Sequence, residues 1–445
     1  MTDNDIQDLE YKNDKIRGDN DSVSTLGDAS PMNQAQKRRE RRQKRFLVQV
    51  LVFTAVALFS LATSLISSPY RHMYMENIKQ VNTVVQNKTQ LIELRQHVVQ
   101  KVALQIARDF PPVLPSIWCV DSRLRHEQER RKPMGLSYVR IPRAASSTLA
   151  SINQRAAKNF GKRNGLKHSC MRHDGNTLGT YYRMRDQLSF LWTFVRAPNN
   201  RAMSQVGTGL RRQRGNNVNY TSNQIVNALK TNDNIKNGVI SEGRGGFQLQ
   251  FSMLNIIEDY SAFNKSNPEH VVNPEQVKQN VKHTIDKYDF IGVVERFHES
   301  LVALQLILGL ETEDILYFAV HKSNQYLKQR RYCQAPLDWQ QLITKPVNDY
   351  LESNTWFAQN YGDLVLHKAA NLSLDRTINS LGHDRFTDAL RKFQMLMEKA
   401  ENTCVPVFPC SFNGTVHTVD DLDDCNVEQT ACGYSCLDGL SATHD

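Results

Sequence analysis

The sequence lacks any Cys-x-x-Cys pair, and none of its eight cysteines lies before Cys119. Structural zinc sites are usually built from such closely spaced pairs, so no metal is expected. Five cysteines fall in the last 42 residues, which predicts a small C-terminal extension (401–445) held by disulfide bonds in an oxidising compartment. Eight cysteines allow many pairings, and the spacing does not choose among them.

The sequence also has no internal repeat and no recognisable nucleic-acid-binding module. Its basic cluster, Lys37–Arg45, contains no interleaved aromatic residues, so no nucleic-acid partner is expected. The formal net charge of +9 suits an anionic donor, an anionic polymer or a position close to a membrane.

Charge is absent from Phe46–Ile66, a run of 21 residues. As a helix this run spans roughly 31 Å, about the thickness of the hydrocarbon core of a bilayer. Seven Lys and Arg residues immediately precede it, so the positive-inside rule keeps the polar, disordered tail (1–45) in the cytosol. We therefore predict an uncleaved signal anchor at 46–66 with a luminal body; a buried helix of a soluble protein is the alternative. Glycosylation sequons in that body lie at Asn87, Asn219, Asn264, Asn371 and Asn413.

Residues 67–134 are predicted to form a helical stem and a hinge. Within Glu76–Asp109, β-branched residues recur every seven positions, at Ile78, Val85, Ile92, Val99 and Ile106. Such a seam favours a two-stranded coiled coil, and hence a homodimer, but it equally fits a helix packed on its own catalytic domain. The proline-rich stretch Phe110–Pro115 is predicted to end this helix.

Residues 135–400 alternate short apolar strands with amphipathic helices. The strand candidates are Leu136–Ile141, Leu188–Val195 and Tyr288–Val294. This alternation predicts an α/β fold with a parallel sheet covered by helices on both faces. Ligands of such sheets bind outside the carboxyl ends of the strands.

The first strand leads into Pro142-Arg143-Ala144-Ala145-Ser146-Ser147-Thr148-Leu149. Small hydroxyl residues such as these often begin helices. A helix N-terminus exposes unpaired backbone N–H groups and the positive end of the helix dipole, so it favours a phosphate. Arg143 adds a fixed positive charge beside it. By itself the segment also fits an ordinary strand, turn and helix.

The second strand leads into a similar element, Phe194-Val195-Arg196-Ala197-Pro198-Asn199-Asn200-Arg201-Ala202-Met203-Ser204. Together the two segments resemble the two signatures of the sulfotransferases, in particular the Golgi-type membrane-bound carbohydrate sulfotransferases. Their donor, 3′-phosphoadenosine-5′-phosphosulfate (PAPS), is held by a Pro-Lys-x-x-Ser/Gly-Thr/Ser-x-Leu loop and a Phe-x-Arg-x-Pro-x-x-Arg-x-x-Ser element. The first signature is matched with Arg143 in place of lysine and Ala145 where glycine is common.

The resemblance implies a P-loop-like fold and a PAPS-dependent transfer of a sulfuryl group to a hydroxyl of a carbohydrate in the Golgi lumen. It implies that Arg143 and the backbone N–H groups of Ala144, Ala145, Ser146, Ser147 and Thr148 grip the 5′-phosphate side of the donor. Arg196 and Ser204 would bind the 3′-phosphate, and Arg201 would either help or support the loop. Arg143 would also stabilise the leaving group, although arginine cannot donate a proton. Because Ala145 is not glycine, we expect its φ angle to be negative unless the loop is strained there.

The catalytic base is expected between the two motifs, where several carbohydrate sulfotransferases place a histidine. Histidine suits this role because its unperturbed side chain titrates close to neutral pH. His173 is the first candidate, since it is nearer the second motif and Asp174 follows it, and His168 is the second; two solvated loop histidines are the alternative. Glu295 is a rival base, but an ion-paired structural carboxylate is the more probable role of that residue. Lys328 and Arg330 belong to a basic run that either closes over the nucleotide or is a solvated face.

Other functions remain possible at this stage. A Golgi glycosyltransferase would want an Asp-x-Asp metal site beside a catalytic strand, yet Asp421-Leu422-Asp423 falls in the cysteine-rich tail. A membrane-anchored glycan-binding protein with a decayed donor site is the non-enzymatic alternative.

Overall fold

The computed structural model describes residues 88–119, 135–166, 170, 189–214, 220–230, 250, 254, 274–318, 327–329, 332–334, 339–408, 410 and 433–440. One compact unit runs from His97 to Asp445, and a second comprises Thr2–Gln96. The predicted tail (1–45) and membrane anchor (46–66) lie outside the described residues. Within the ranges given above, none of the helices is both long enough and apolar enough to cross a bilayer.

Helices make up most of the described chain. They are α1 (88–106), α2 (Pro115–Trp118), α3 (Ser146–Arg163), α4 (Pro198–Arg214), α5 (Ser222–Lys230), α6 (Pro274–Lys287), α7 (Phe297–Leu308), α8 (Lys345–Leu351), α9 (Asn354–Leu381), α10 (His383–Thr403) and α11 (Tyr434–Asp438). The end of α7 follows from its sequence, because Gly309 adopts the left-handed conformation (φ 64°) that commonly terminates a helix.

A parallel sheet forms the centre of the larger unit. Its strands follow the order β1 (Gly135–Tyr138), β2 (Ser189–Val195) and β3 (Phe290–Val293). The three predicted strands are therefore confirmed, although β1 begins one residue earlier than predicted, the other predicted ends are shortened except at Val195, and the sheet is small beside the helices. Every residue of β2 is buried, as expected of a continuous apolar strand between two parallel neighbours. Since the strands are parallel, their carboxyl ends meet at one edge of the sheet.

Several helices pack against this sheet, and some of them lie beside its carboxyl edge. Helix α3 packs on β1, and α7 packs on β3. Helix α9 contacts β2, β3 and α4, so it lies beside the segments that follow two of the strands. A second apolar cluster joins α4 to α5 and α8 through residues such as Met203, Ile225 and Val347.

The C-terminal part of the predicted stem packs on its own domain. Val99, Ala103 and Ile106 of α1 are buried in the main apolar core. Arg376 of α9 donates a hydrogen bond to the carbonyl oxygen of Leu104 at 3.2 Å. From His97 onward the structure therefore matches the second interpretation of the stem, a helix packed on the domain that follows it. The earlier seam residues Ile78 and Val85 lie outside the described residues.

Disulfide bonds are present, as predicted, and they join distant parts of the chain. They connect Cys119 to Cys170, Cys333 to Cys410, and Cys404 to Cys436. Cys333 lies on β5 (Tyr332–Gln334), which forms an antiparallel hairpin with β4 (Leu327–Gln329). The described parts of the C-terminal segment are thus fastened both to this hairpin and to the end of α10. Cys425 and Cys432 lie outside the described residues.

One predicted glycosylation sequon does not fit its structural position. Asn371 lies within α9, where its side-chain nitrogen Nδ2 donates a hydrogen bond to the carbonyl oxygen of His367 at 3.0 Å. A glycan acceptor belongs on an accessible surface loop, so Asn371 is a poor candidate for modification.

The packing of β2 on β3 requires a residue without a side chain at position 292. Gly292 pairs with Phe194, and a Cβ atom added to it would lie 2.5 Å from the Phe194 ring. That ring also contacts Phe290 and Phe297.

We expect Gly292→Ala to lower the free energy of unfolding by about 1–3 kcal/mol, measured by denaturant titration. Adding Phe194→Leu should recover part of the loss; an unchanged midpoint in the single variant would show that the ring moves aside at little cost.

Candidate functional site

The loop after β1 turns sharply into helix α3. Arg143 and Ala145 both have positive φ angles, 69° and 53°. Of the two conformations predicted for Ala145, the structure has the strained one, because the turn into α3 requires the left-handed conformation whichever residue stands there. A left-handed residue next to a right-handed helical one turns successive N–H groups to the same side, which makes a concave anion-binding nest.

The start of α3 has no side-chain cap. Helix α3 begins at Ser146, the first of the three hydroxyl residues expected near its start, and its N-cap residue is Ala145, which provides no side-chain hydrogen bond to the first turn. Most helix starts use a Ser, Thr, Asp or Asn side chain for that purpose. The Ser147 hydroxyl instead accepts a hydrogen bond from Nη2 of Arg140 at 3.1 Å. The backbone N–H groups of residues 146–148 lie at the positively polarised end of the helix.

Arg196 brings the two sequence motifs together. It follows the last residue of β2, and its Nη1 atom donates a hydrogen bond to the carbonyl oxygen of Arg143 at 3.3 Å. Both arginines are half-buried. The second motif therefore contacts the backbone of the first at the carboxyl edge of the sheet, and two guanidinium-bearing residues share one region.

Side chains from distant parts of the chain hold the backbone at this point. Gln250 accepts a hydrogen bond from the N–H of Arg196 at 2.8 Å and donates one to the carbonyl oxygen of Arg196 at 2.7 Å. Glu295 accepts from the N–H of Ala197 at 2.9 Å. Sequence reasoning missed Gln250, and nothing in its local sequence could have identified it.

Arg201 supports the loop. Its side chain is fully buried and donates a hydrogen bond from Nε to the carbonyl oxygen of Pro142 at 3.2 Å. Its Nη1 atom lies 3.9 Å from an oxygen of Asp363, which is equally buried. The pKa of Arg201 is lowered to about 10, mainly by burial; Arg196 adds to this shift and Asp363 opposes it. The guanidinium therefore stays charged at neutral pH but does not reach solvent, which favours support over direct contact with a phosphate.

Glu295 is paired in the way expected of a structural carboxylate. Its second oxygen lies 3.0 Å from Nε2 of His367 on α9. Burial raises the pKa of Glu295, but the hydrogen bond and the charge of His367, with the Ala197 N–H, more than offset this and hold the pKa below its usual value. A carboxylate with a lowered pKa and both oxygens engaged is a weak base, so Glu295 is a poor rival for proton abstraction.

The other predicted site residues are located only in part. Ser204 is half-buried on α4, one turn after Arg201, and its convergence with Arg196 on one anion stays a prediction. Lys328 lies on β4 of the hairpin. His168, His173 and Arg330 lie outside the described residues. Among the residues that are described, no group of three or more His, Cys, Asp or Glu side chains is placed to hold a metal ion.

The strain at Ala145 leads to a prediction about stability. An L-residue in the left-handed region costs about 1–2 kcal/mol, whereas glycine adopts it freely but loses more entropy on folding. We expect Ala145→Gly to raise the free energy of unfolding by up to about 1 kcal/mol, and Ala145→Val to lower it, because β-branched residues tolerate positive φ worst. Denaturant unfolding of both variants measures the difference. A gain in stability from Ala145→Val would contradict the left-handed turn.

Comparison with known proteins adds no relative: no family model matches the chain, and no curated protein or solved structure gives a significant match.

Proposed function

We propose that this protein is a PAPS-dependent sulfotransferase that transfers a sulfuryl group to a hydroxyl of a carbohydrate. The observation that carries the proposal is the hydrogen bond of Arg196 to the Arg143 carbonyl. The two motifs that resemble the donor-binding signatures lie far apart in sequence, yet they meet at the carboxyl edge of a parallel sheet, where ligands of such sheets bind.

The residues present fit a donor with phosphates at two ends. The uncapped start of α3, with its left-handed turn at Ala145, suits the 5′-phosphate side. Arg196 suits the 3′-phosphate, because a half-buried guanidinium forms stronger charge-assisted hydrogen bonds than one in open water. Arg201 and Pro142 would hold the loop in shape for both.

PAPS supplies the sulfuryl group and a phosphate leaving group. The acceptor hydroxyl oxygen forms the new bond to sulfur while the bond from sulfur to the phosphate oxygen breaks, and its electron pair stays on the phosphate. Arg143 would stabilise that developing charge. The hydroxyl proton must pass to a base, for which His173, and then His168, remain the candidates.

The proposed setting is the Golgi lumen, with the chain anchored by residues 46–66 as a single-pass type II membrane protein. The disulfide bonds support an oxidising compartment for the body of the protein. They are compatible with any secretory compartment, and the choice of the Golgi rests on the family resemblance.

Two measurements on the full-length protein test the proposal. Calorimetry with adenosine 3′,5′-bisphosphate, the product of the donor, should detect binding at one site per chain. Incubation with sulfur-labelled donor and a panel of glycans should then label at least one glycan. Bisphosphate binding without transfer to any glycan would favour the glycan-binding alternative, and absence of bisphosphate binding would refute the donor site itself.

A further inference from the structure

Two residues of helix α9, on neighbouring turns, are linked by hydrogen bonds to the segment that follows β2. Asp363 and His367 lie one turn apart on this helix, and both connect to the backbone at Arg196 and Ala197 through an intermediate side chain. We infer that α9 fixes the Arg196–Ala197 backbone through these two relays, and that Gln250 and Glu295 are positioning residues for the Arg196 guanidinium. That this guanidinium binds a phosphate of the donor rests on the proposed function.

The first relay runs through Gln250. Its backbone N–H donates to Oδ2 of Asp363 at 2.9 Å, and its side-chain amide grips both the N–H and the carbonyl of Arg196. Gln250 and Asp363 are both fully buried. A fully buried amide that makes two hydrogen bonds to one residue leaves that residue little freedom to rotate, because each lost bond would strand a buried polar group.

The second relay runs through Glu295. This residue lies in the short 3₁₀ turn that directly follows β3. The segment after β3 therefore holds the segment after β2 in place. One carboxylate oxygen accepts from the N–H of Ala197, and the other meets His367. The carboxylate is therefore oriented from the α9 side and cannot turn away from Ala197 without breaking its ion pair.

The two relays supply hydrogen bonds to the backbone beyond the end of β2, where strand pairing stops. The register between β2 and β3 ends at Val195 and Val293, so the backbone groups just beyond that point need other partners. Side chains satisfy the N–H and carbonyl of Arg196 and the N–H of Ala197. Because the Cα of Arg196 is thereby fixed, its guanidinium is directed toward the Arg143 carbonyl before any ligand arrives. Such preorganisation raises ligand affinity without adding a contact to the ligand.

Hydrogen exchange and bisphosphate binding, measured on the same full-length variants, test this inference. Gln250→Met and Glu295→Met remove one relay each while keeping side-chain volume. In both we expect the Arg196 and Ala197 amides to exchange faster and bisphosphate affinity to fall. The factor should be about ten for Glu295→Met, which loses one hydrogen bond to this backbone, and at least ten for Gln250→Met, which loses two. Glu295→Gln keeps an oxygen for Ala197 and should stay within about threefold of the wild type.

Asp388→Asn is the matched control. Asp388 is an exposed carboxylate on α10 that pairs with Arg391, so neither measurement should change. If Glu295→Met does not fold, His367→Gln tests the same relay from its outer end and should give a smaller change in the same direction.

The outcomes separate the two proposals. Unchanged exchange at Arg196 and Ala197 in the Met variants would overturn the relays, whatever the protein binds. Faster exchange with unaltered bisphosphate affinity would overturn the positioning role of Gln250 and Glu295. Faster exchange in a protein whose wild type binds no bisphosphate would support the relays and refute the proposed function instead.

Discussion

Arg196→Ala is expected to abolish measurable binding of adenosine 3′,5′-bisphosphate while the protein remains folded. The substitution removes the half-buried guanidinium that contacts the first motif. A charge-assisted hydrogen bond contributes about 1.5–3 kcal/mol, so loss of one such bond weakens binding more than tenfold, and loss of two weakens it by at least a hundredfold. Calorimetry measures the affinity, and circular dichroism with thermal unfolding checks the fold.

Two further variants separate the causes of this loss. Arg196→Lys keeps the charge without the planar fork of donors and should give an intermediate affinity. Arg391→Ala removes one positive charge from an exposed pair on α10, and it should bind as the wild type does, since an isolated surface charge contributes little at physiological salt. If Arg196→Ala bound the bisphosphate with wild-type affinity, the site would have been assigned to the wrong residue.

The sequence predicted the parts of this region that depend on local pattern. Apolar runs predict the strands, and the small hydroxyl residues Ser146–Thr148 predict a helix start near them. The approach of the two motifs follows because parallel strands bring their carboxyl ends to one edge. Arg143 and Arg196 could thus be placed together before any coordinates were known. The φ angle of Ala145 could not, since the tertiary turn overrides the preference of the residue.

The supporting residues could not be predicted for a different reason. Gln250, Asp363 and His367 contact the Arg196 region across long sequence separations, and their neighbours in sequence show no distinctive spacing. A buried glutamine or aspartate is recognisable only from the backbone groups it satisfies, which the fold alone reveals. The ion-paired role of Glu295 could be predicted from the sequence, but its partner on α9, His367, could not.

The position of Arg201 shows why a motif residue need not touch the ligand. The sequence left open whether this arginine helps to bind phosphate or supports the loop. With no exposed surface, it instead connects the Pro142 carbonyl to Asp363. The second motif therefore contains a residue, Arg201, that stabilises the packing of α4 against α9 from inside the protein.

Arg201→Met should accordingly be the most destabilising of the substitutions considered. It leaves the buried carboxylate of Asp363 without its cation, and breaking a buried ion pair in this way costs about 3–5 kcal/mol. Denaturant unfolding of the full-length protein should show this loss as a lower transition midpoint. If Arg201 were instead a phosphate ligand, the variant would lose bisphosphate affinity with little change in stability.

A second substitution identifies the cause of that loss. Asp363→Asn in the Arg201→Met background keeps an oxygen that can accept from the N–H of Gln250 but removes the stranded negative charge. Because neutral groups cost much less to bury than unpaired ions, the double variant should regain a large part of the lost stability. A double variant as unstable as the sum of the two single variants would show that Arg201 acts through the Pro142 carbonyl and not through its ion pair.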